Sequence, residues 1–263
     1  MQTHNSSHKD DDDCMIISQP QQGCAYRENA ELEQPPFFKL KAMSLLKNIP
    51  GKGWAKVAGV NLFLAKCAQM PDQSVFIVGG SHDQKSVETV NNVTKYQILP
   101  NGRVQMQEVA PMSDSRSSFG CTVNVHKKEI YVAGGYTKAL TTKKCEAYNV
   151  DSNEWRPLPS LNEEKCASSL SLLGGHLLYC FGGFNKNEQS QALLLNTIEV
   201  CDLNCANEWQ TLSMKLPQQV CDMGSVPISK NKILLFGGWL KTASQHAYML
   251  TRHGENEHSI SEV

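Results

Sequence analysis

The chain has no long apolar run. None of its hydrophobic stretches approaches the roughly 18 residues that a membrane-spanning helix requires, so no membrane partner is expected. An excess of charge of one sign is also missing. Twenty-five basic residues face 26 acidic ones, for a formal net charge of −1. That balance argues against the basic surface of a nucleic-acid binder. The amino-terminal residues are polar and acidic, with Asp10-Asp11-Asp12-Asp13 where a secretory leader would be basic and then apolar. The expectation is a cytoplasmic protein, with Asn5-Ser6-Ser7 and Asn92-Val93-Thr94 unused as glycosylation sites.

Recognisable chemistry is sparse as well. Neither common phosphate-binding glycine pattern occurs. No serine sits in a nucleophile elbow, and the glycine-flanked Ser225 lacks the pattern. The eight histidines are scattered. The pair Glu163-Glu164 adjoins a lysine in an expected loop, which suits a solvated face better than acid/base work. Cysteine is plentiful, at ten residues, but its placement argues against a disulfide framework. Cys121, Cys166, Cys180 and Cys221 lie inside apolar or small-residue phrases, where a reduced thiol packs as a small hydrophobe. Cys201 and Cys205 are the closest pair, without the second pair a zinc site needs. No catalytic residue, metal or cofactor is assigned, and the chain is not expected to be an enzyme.

What is present is one phrase repeated four times: an apolar, β-rich run that stops on two glycines. It reads Val75-Phe76-Ile77-Val78-Gly79-Gly80, Ile130-Tyr131-Val132-Ala133-Gly134-Gly135, Leu178-Tyr179-Cys180-Phe181-Gly182-Gly183 and Ile233-Leu234-Leu235-Phe236-Gly237-Gly238. The first glycines are 55, 48 and 55 residues apart. A period near fifty residues marks a repeat architecture. Four apolar residues suit a buried strand, and paired glycines allow positive φ at its end.

The second unit is the clearest. A strand at Ser118 to Val125 is followed by the glycine phrase. Cys145 to Val150 is a third strand and Glu154 to Leu158 a fourth, making a four-stranded meander. The third unit repeats the order with Ala167 to Leu173, Thr197 to Cys201 and Glu208 to Leu212. The fourth has Met223 to Ile228 and His246 to Leu250, then fades into polar residues. Ahead of the first unit, Val57 to Ala65 is apolar enough for an inner strand. The expected organisation is a disordered polar tail over 1–36, a repeat domain over 37–251 and a polar tail over 252–263.

These features resemble the kelch-repeat family, whose motif has a di-glycine closing the second strand, a tyrosine on the third and a tryptophan on the fourth. The second unit matches throughout with Gly134, Gly135, Tyr148 and Trp155. The third has Gly182, Gly183 and Trp209, with Cys201 near the tyrosine place. The first has Gly79, Gly80 and Tyr96, with Val104 or Met106 for the tryptophan; the fourth has Gly237, Gly238 and Tyr248. The resemblance implies an all-β, kelch-type β-propeller with four recognisable blades. It is either a closed four-bladed ring or a partial or divergent one. Closure would have the strand near Phe37 to Leu46 pair in the fourth blade.

The leading functional expectation is a non-enzymatic interaction module, a scaffold, cytoskeletal or substrate-adaptor protein with a protein or peptide partner. The resemblance implies partner contacts from the residue after each di-glycine, here Ser81, Tyr136, Phe184 and Trp239, and from Arg116 and Lys165 at the start of first strands. Two alternatives are a propeller enzyme acting on sugars or by oxidation, and a purely structural part of a larger assembly.

Overall fold

In a computed structural model, segments 14–17, 44–49 and 53–59 are described by their backbone. Residues 62–263 are described apart from 73, 84–85, 87, 100–102, 139, 187–191, 206–207, 241 and 256. The described residues contain no helix, and therefore none long and apolar enough to cross a membrane.

Four antiparallel four-stranded meanders follow one another as blades I to IV. Blade I comprises Lys66–Gln69, Val75–Val78, Val93–Ile98 and Val104–Val109. Blade II comprises Gly120–Asn124, Glu129–Ala133, Cys145–Asn149 and Glu154–Leu158. Blade III comprises Ser169–Leu173, Leu177–Phe181, Ile198–Asp202 and Gln210–Thr211. Blade IV comprises Gly224–Ser229, Lys232–Phe236, Ala247–Arg252 and His258–Glu262. The first strands of successive blades lie against one another, so the blades stack as in a propeller.

Stacking explains the continuous apolar phrases. The second strands of blades I, II and III are buried at every position; blades II and III each have a neighbouring blade on both sides to cover their two faces. The second strand of blade IV alternates between buried and exposed positions instead. Val226, Ile228 and Phe236 of this blade remain exposed.

Backbone contacts join each blade to the next. Both glycines of each phrase have positive φ, 64° and 116° at Gly134 and Gly135. The second glycine's N–H donates to the residue that opens the next blade. Gly80 donates to the Arg116 carbonyl at 2.9 Å, Gly135 to Lys165 at 2.9 Å and Gly183 to Val220 at 2.8 Å. The first glycine leaves no room for a side chain, since a Cβ on Gly134 would stand 2.4 Å from the Lys165 oxygen. A second series runs through left-handed residues that sequence reasoning did not find: Leu64, Ser118, Ala167 and Asp222, with φ of 56°, 50°, 51° and 51°. Ser118 N–H donates to the Leu64 carbonyl, Ala167 to Ser118 and Asp222 to Ala167, at 3.1, 2.6 and 2.8 Å.

Several expectations are corrected. Residues 258–262, expected within a polar tail, form the outer strand of blade IV, pairing Leu250 with Ile260. Their polarity fits an outer strand with little cover. Among the described residues, the fourth blade pairs only its own four strands. Ser44–Ile49 pairs instead with Cys14–Ile17 and Gly53–Gly59, in a separate three-stranded sheet. Cys14–Ile17 is thus a strand within the expected tail; the rest of 1–36, and Phe37 to Lys41, lies outside the described residues. The inner strand of blade I is Lys66–Gln69, not Val57 to Ala65. Register also corrects Tyr248. Opposite the second-strand residue four before the first glycine stand Tyr96, Tyr148, Cys201 and Leu250. Tyr248 stands two places earlier, level with Glu146 and Glu199. In blade I, Met106 pairs with Tyr96 and so takes the tryptophan place.

Gly183 tests the blade linkage. A Cβ there would meet the Cys166 oxygen at 2.6 Å, with φ at 99°. Gly183→Ala should cost at least about 1–3 kcal/mol, the range for forcing a side chain into such a conformation. Gly175→Ala, at a turn with φ of 77° but nothing within 4 Å, carries the same conformational cost without the clash and should cost less than Gly183→Ala. Equal unfolding midpoints for the two variants would refute the close-approach role.

Candidate functional site

The residues after the di-glycines form the base of the loop face. Each exchanges two backbone hydrogen bonds with the residue before a left-handed one: Ser81 with Phe63, Tyr136 with Ser117, Phe184 with Cys166 and Trp239 with Cys221. Ser81, Tyr136 and Phe184 are buried; Trp239 is half-buried. Tyr136, Phe184, Cys166, Ala167 and Cys221 pack as one cluster that Trp239 joins from its edge. The aromatics therefore seal the seams between blades, and only Trp239 has surface left for a partner.

Arg116 and Lys165, also expected to face a partner, are fully buried. Arg116 reaches Glu146 at 2.5 Å and donates to the carbonyls of Gly134 and Lys144 at 3.1 and 2.9 Å. Lys165 lies 2.7 Å from Glu199 and donates to Thr197 Oγ1 at 2.9 Å. The same carboxylates also accept linker N–H groups, Glu146 from Ser113 at 3.0 Å and Glu199 from Asn162 at 2.6 Å. Burial by itself would lower the Lys165 pKa. Cys180, Glu199 and Glu163 around the ammonium outweigh that and hold it above its ordinary value. Blade IV solves the same place without charge, with Val220 for the cation, Tyr248 for the glutamate and Pro217, which has no N–H, for Asn162.

This substitution pattern gives a direct test. Lys165→Met leaves Glu199 buried and unpaired, at a cost of about 3–5 kcal/mol. Adding Asn162→Pro and Glu199→Tyr to Lys165→Val copies blade IV and should recover most of that loss in a denaturant titration. A triple variant as unstable as the single one would show that the seams are not interchangeable.

Beyond this base, short hairpins project from blades II and III. Tyr136–Thr137 pairs with Leu140–Thr141, and Phe184–Lys186 with Ala192–Leu194. The hairpins touch: Thr141 Oγ1 donates to Asn185 Oδ1 at 3.0 Å, and Lys186 Nζ to the Tyr136 hydroxyl at 3.1 Å. Leu140 and Leu193 stand exposed on them, 53% and 57% accessible. Sequence reasoning missed both, because a lone leucine in a polar loop carries no periodic signal.

The thiols are mostly inert. Cys166 and Cys221 are buried in the seam cluster. Cys201 is buried against blade II while Cys205 is exposed. Burial raises the Cys145 thiol to about 12 and Cys180 to about 11. In the unfolded chain such thiols ionise near pH 8.5. Stability held by the neutral buried thiols is therefore complete below that pH and drains as pH rises from about 9 toward 11–12. The unfolding midpoint should fall over that window, and fall less in Cys145→Ala/Cys180→Ala. Identical slopes would overturn this assignment.

Four stacked antiparallel meanders make this a β-propeller protein. Residues 118–162 match the Kelch motif. Kelch-like protein 40 of Xenopus laevis is 33% identical over 131 residues, which is 48% of this chain and 20% of that protein. The human Kelch-like protein 40 is 38% identical over 102 residues, 39% of this chain and 16% of that one. An F-box/kelch-repeat protein of Arabidopsis thaliana is 26% identical over 128 residues, 48% and 30% of the two chains. The chain thus spans a fifth or less of the two Kelch-like relatives. The solved structure of YjhT superposes with a TM-score of 0.60 at 16% identity, covering 78% of this chain and 65% of that one, a likeness of fold. The chain therefore carries a Kelch motif in blade II and resembles kelch-repeat proteins over about half of its length.

Proposed function

We propose that the chain is a non-enzymatic, cytoplasmic protein-interaction module that presents its di-glycine loop face to a protein or peptide partner. The supporting observation is the pair of contacting hairpins on blades II and III. Each rises from a residue held by two backbone hydrogen bonds to the neighbouring seam, and each carries an exposed leucine. Exposed apolar side chains on a rigid base are the material of interface hot spots, because little ordering entropy is lost on binding. Trp239 extends the same face toward blade IV. The relatives bearing kelch names favour an interaction role over the enzyme reading.

The test is quantitative affinity capture with the intact chain and with Leu140→Asp/Leu193→Asp. Both positions are exposed, so the variant should keep the wild-type unfolding midpoint. Partners held by the wild type should fall at least tenfold with the variant. Unchanged recovery of every partner would sink the loop-face reading.

A further inference from the structure

The series of links between blades stops at blade IV with half of a further link in place. In each seam the earlier blade offers a front and the later blade a back. The front gives a di-glycine N–H and the carbonyl of a left-handed residue. The back gives a carbonyl and, two residues on, the N–H of a left-handed residue. Blade III meets blade IV in this way: Gly183 donates to Val220 at 2.8 Å, and Asp222 donates to Ala167 at 2.8 Å. The front of blade IV has the same parts. Gly237 and Gly238 hold φ of 65° and 97°, and Asp222 holds 51°. Among the described residues, no carbonyl accepts from the Gly238 N–H and no N–H reaches the Asp222 carbonyl. A Cβ on Gly237 would have nothing within 4 Å, where one on Gly182 would stand 2.4 Å from the Val220 oxygen.

The side chains divide in the same way, because successive residues of a strand point to opposite faces. Tyr179 and Phe181 face forward from blade III and are buried in one cluster with Ile233 and Leu235, which face back from blade IV. Leu234 and Phe236 take the forward places in blade IV without such cover. Phe236 is 46% exposed, and Val226, paired with Leu234, is exposed with Ile228. The three filled seams define what fits here: the back of another blade. A second copy of the chain has none to offer. Its only back without a preceding blade is that of blade I, where Phe76 and Val78 face blade II and Val75 and Ile77, pointing the other way, are already buried.

We propose that the front of blade IV docks a β-blade of a partner protein. The partner's blade presents a carbonyl to the Gly238 N–H and a left-handed N–H to the Asp222 carbonyl. Two apolar residues of its second strand cover Leu234 and Phe236. The paired backbone groups fix the register, and burial of the apolar face supplies affinity. An apolar face of this kind is unusual on a monomer and marks an interaction site. The inference goes beyond the hairpin reading and uses a different surface, since Leu140 and Leu193 stand on blades II and III.

The test compares the full chain, its Ile228→Asp/Phe236→Asp variant, and the full chain with residues 212–263 repeated after Val263. The added unit carries the back of blade IV and should fill the open front itself. Hydrogen exchange at the Gly238 N–H should then be at least tenfold slower than in the wild type. Both substituted positions are exposed, so the double variant should keep the wild-type unfolding midpoint. Affinity capture should yield a partner that the wild type holds and both altered chains lose, while Leu140→Asp/Leu193→Asp still holds it. Added back in purified form, that partner should slow Gly238 exchange in the wild type at least tenfold. Gly238 exchange unaffected by the added unit, or no partner lost by both altered chains, overturns the proposal. So does a wild-type dimer in light scattering that Ile228→Asp/Phe236→Asp dissociates, which would assign the face to a second copy. Loss of capture with the Leu140 and Leu193 variant alone rejects this face and leaves the loop-face reading standing.

Discussion

Everything in this architecture depends on one short contact, the N–H of a strand-end glycine reaching the carbonyl of the residue that opens the next blade. A four-stranded meander has two faces to cover, and it can cover both only between neighbours. The contact sets how closely those neighbours approach. It requires a glycine before it as well, because any Cβ on Gly79, Gly134 or Gly182 would fall within 2.6 Å of the next blade's backbone oxygen. The second series of links, through Leu64, Ser118, Ala167 and Asp222, carries the same spacing along the first strands. Backbone groups make both series, so side chains at the seams can vary while blade spacing holds.

That freedom is visible at the base of each seam. Two blades hold their linkers with a buried cation, a glutamate and a donated N–H; blade IV uses valine, tyrosine and a proline with no N–H to satisfy. A buried ion pair carries a large desolvation cost and is often matched by an apolar replacement of similar shape. The two solutions therefore need not differ in stability. They differ in tolerance, since removing one partner leaves a charge stranded in the first case but not in the second.

Local features of the fold were legible in the sequence and long-range ones were not. The glycine phrases declared four second strands, three of which are buried on both faces as four consecutive apolar residues demand. Register was hidden, because the stretch from the first glycine to the tyrosine place is 14 residues in blade II, 19 in III and 13 in IV. Residue type alone thus settled on Tyr248, 11 residues after Gly237, rather than Leu250. The left-handed residues were invisible: leucine, serine, alanine and aspartate announce no such conformation. Arg116 and Lys165 were singled out for the surface, and both are buried. Their partners Glu146 and Glu199 lie some thirty residues further on, where no sequence pattern joins them.

The last blade shows why departures from the repeat carry most of the functional information. A residue that conforms is committed to holding its neighbours, as Tyr136, Phe184, Arg116 and Lys165 are. Surface for a partner remains where the pattern lapses. The lapses here are the hairpins inserted after two di-glycines, and the seam in which Ile260 stands for a tryptophan. In the hairpins the insertion adds apolar groups beyond a braced base. In the seam an aliphatic residue stands where the two earlier blades place an indole. Both kinds of lapse leave the backbone links between blades intact, so each can be altered without loosening the propeller that positions it.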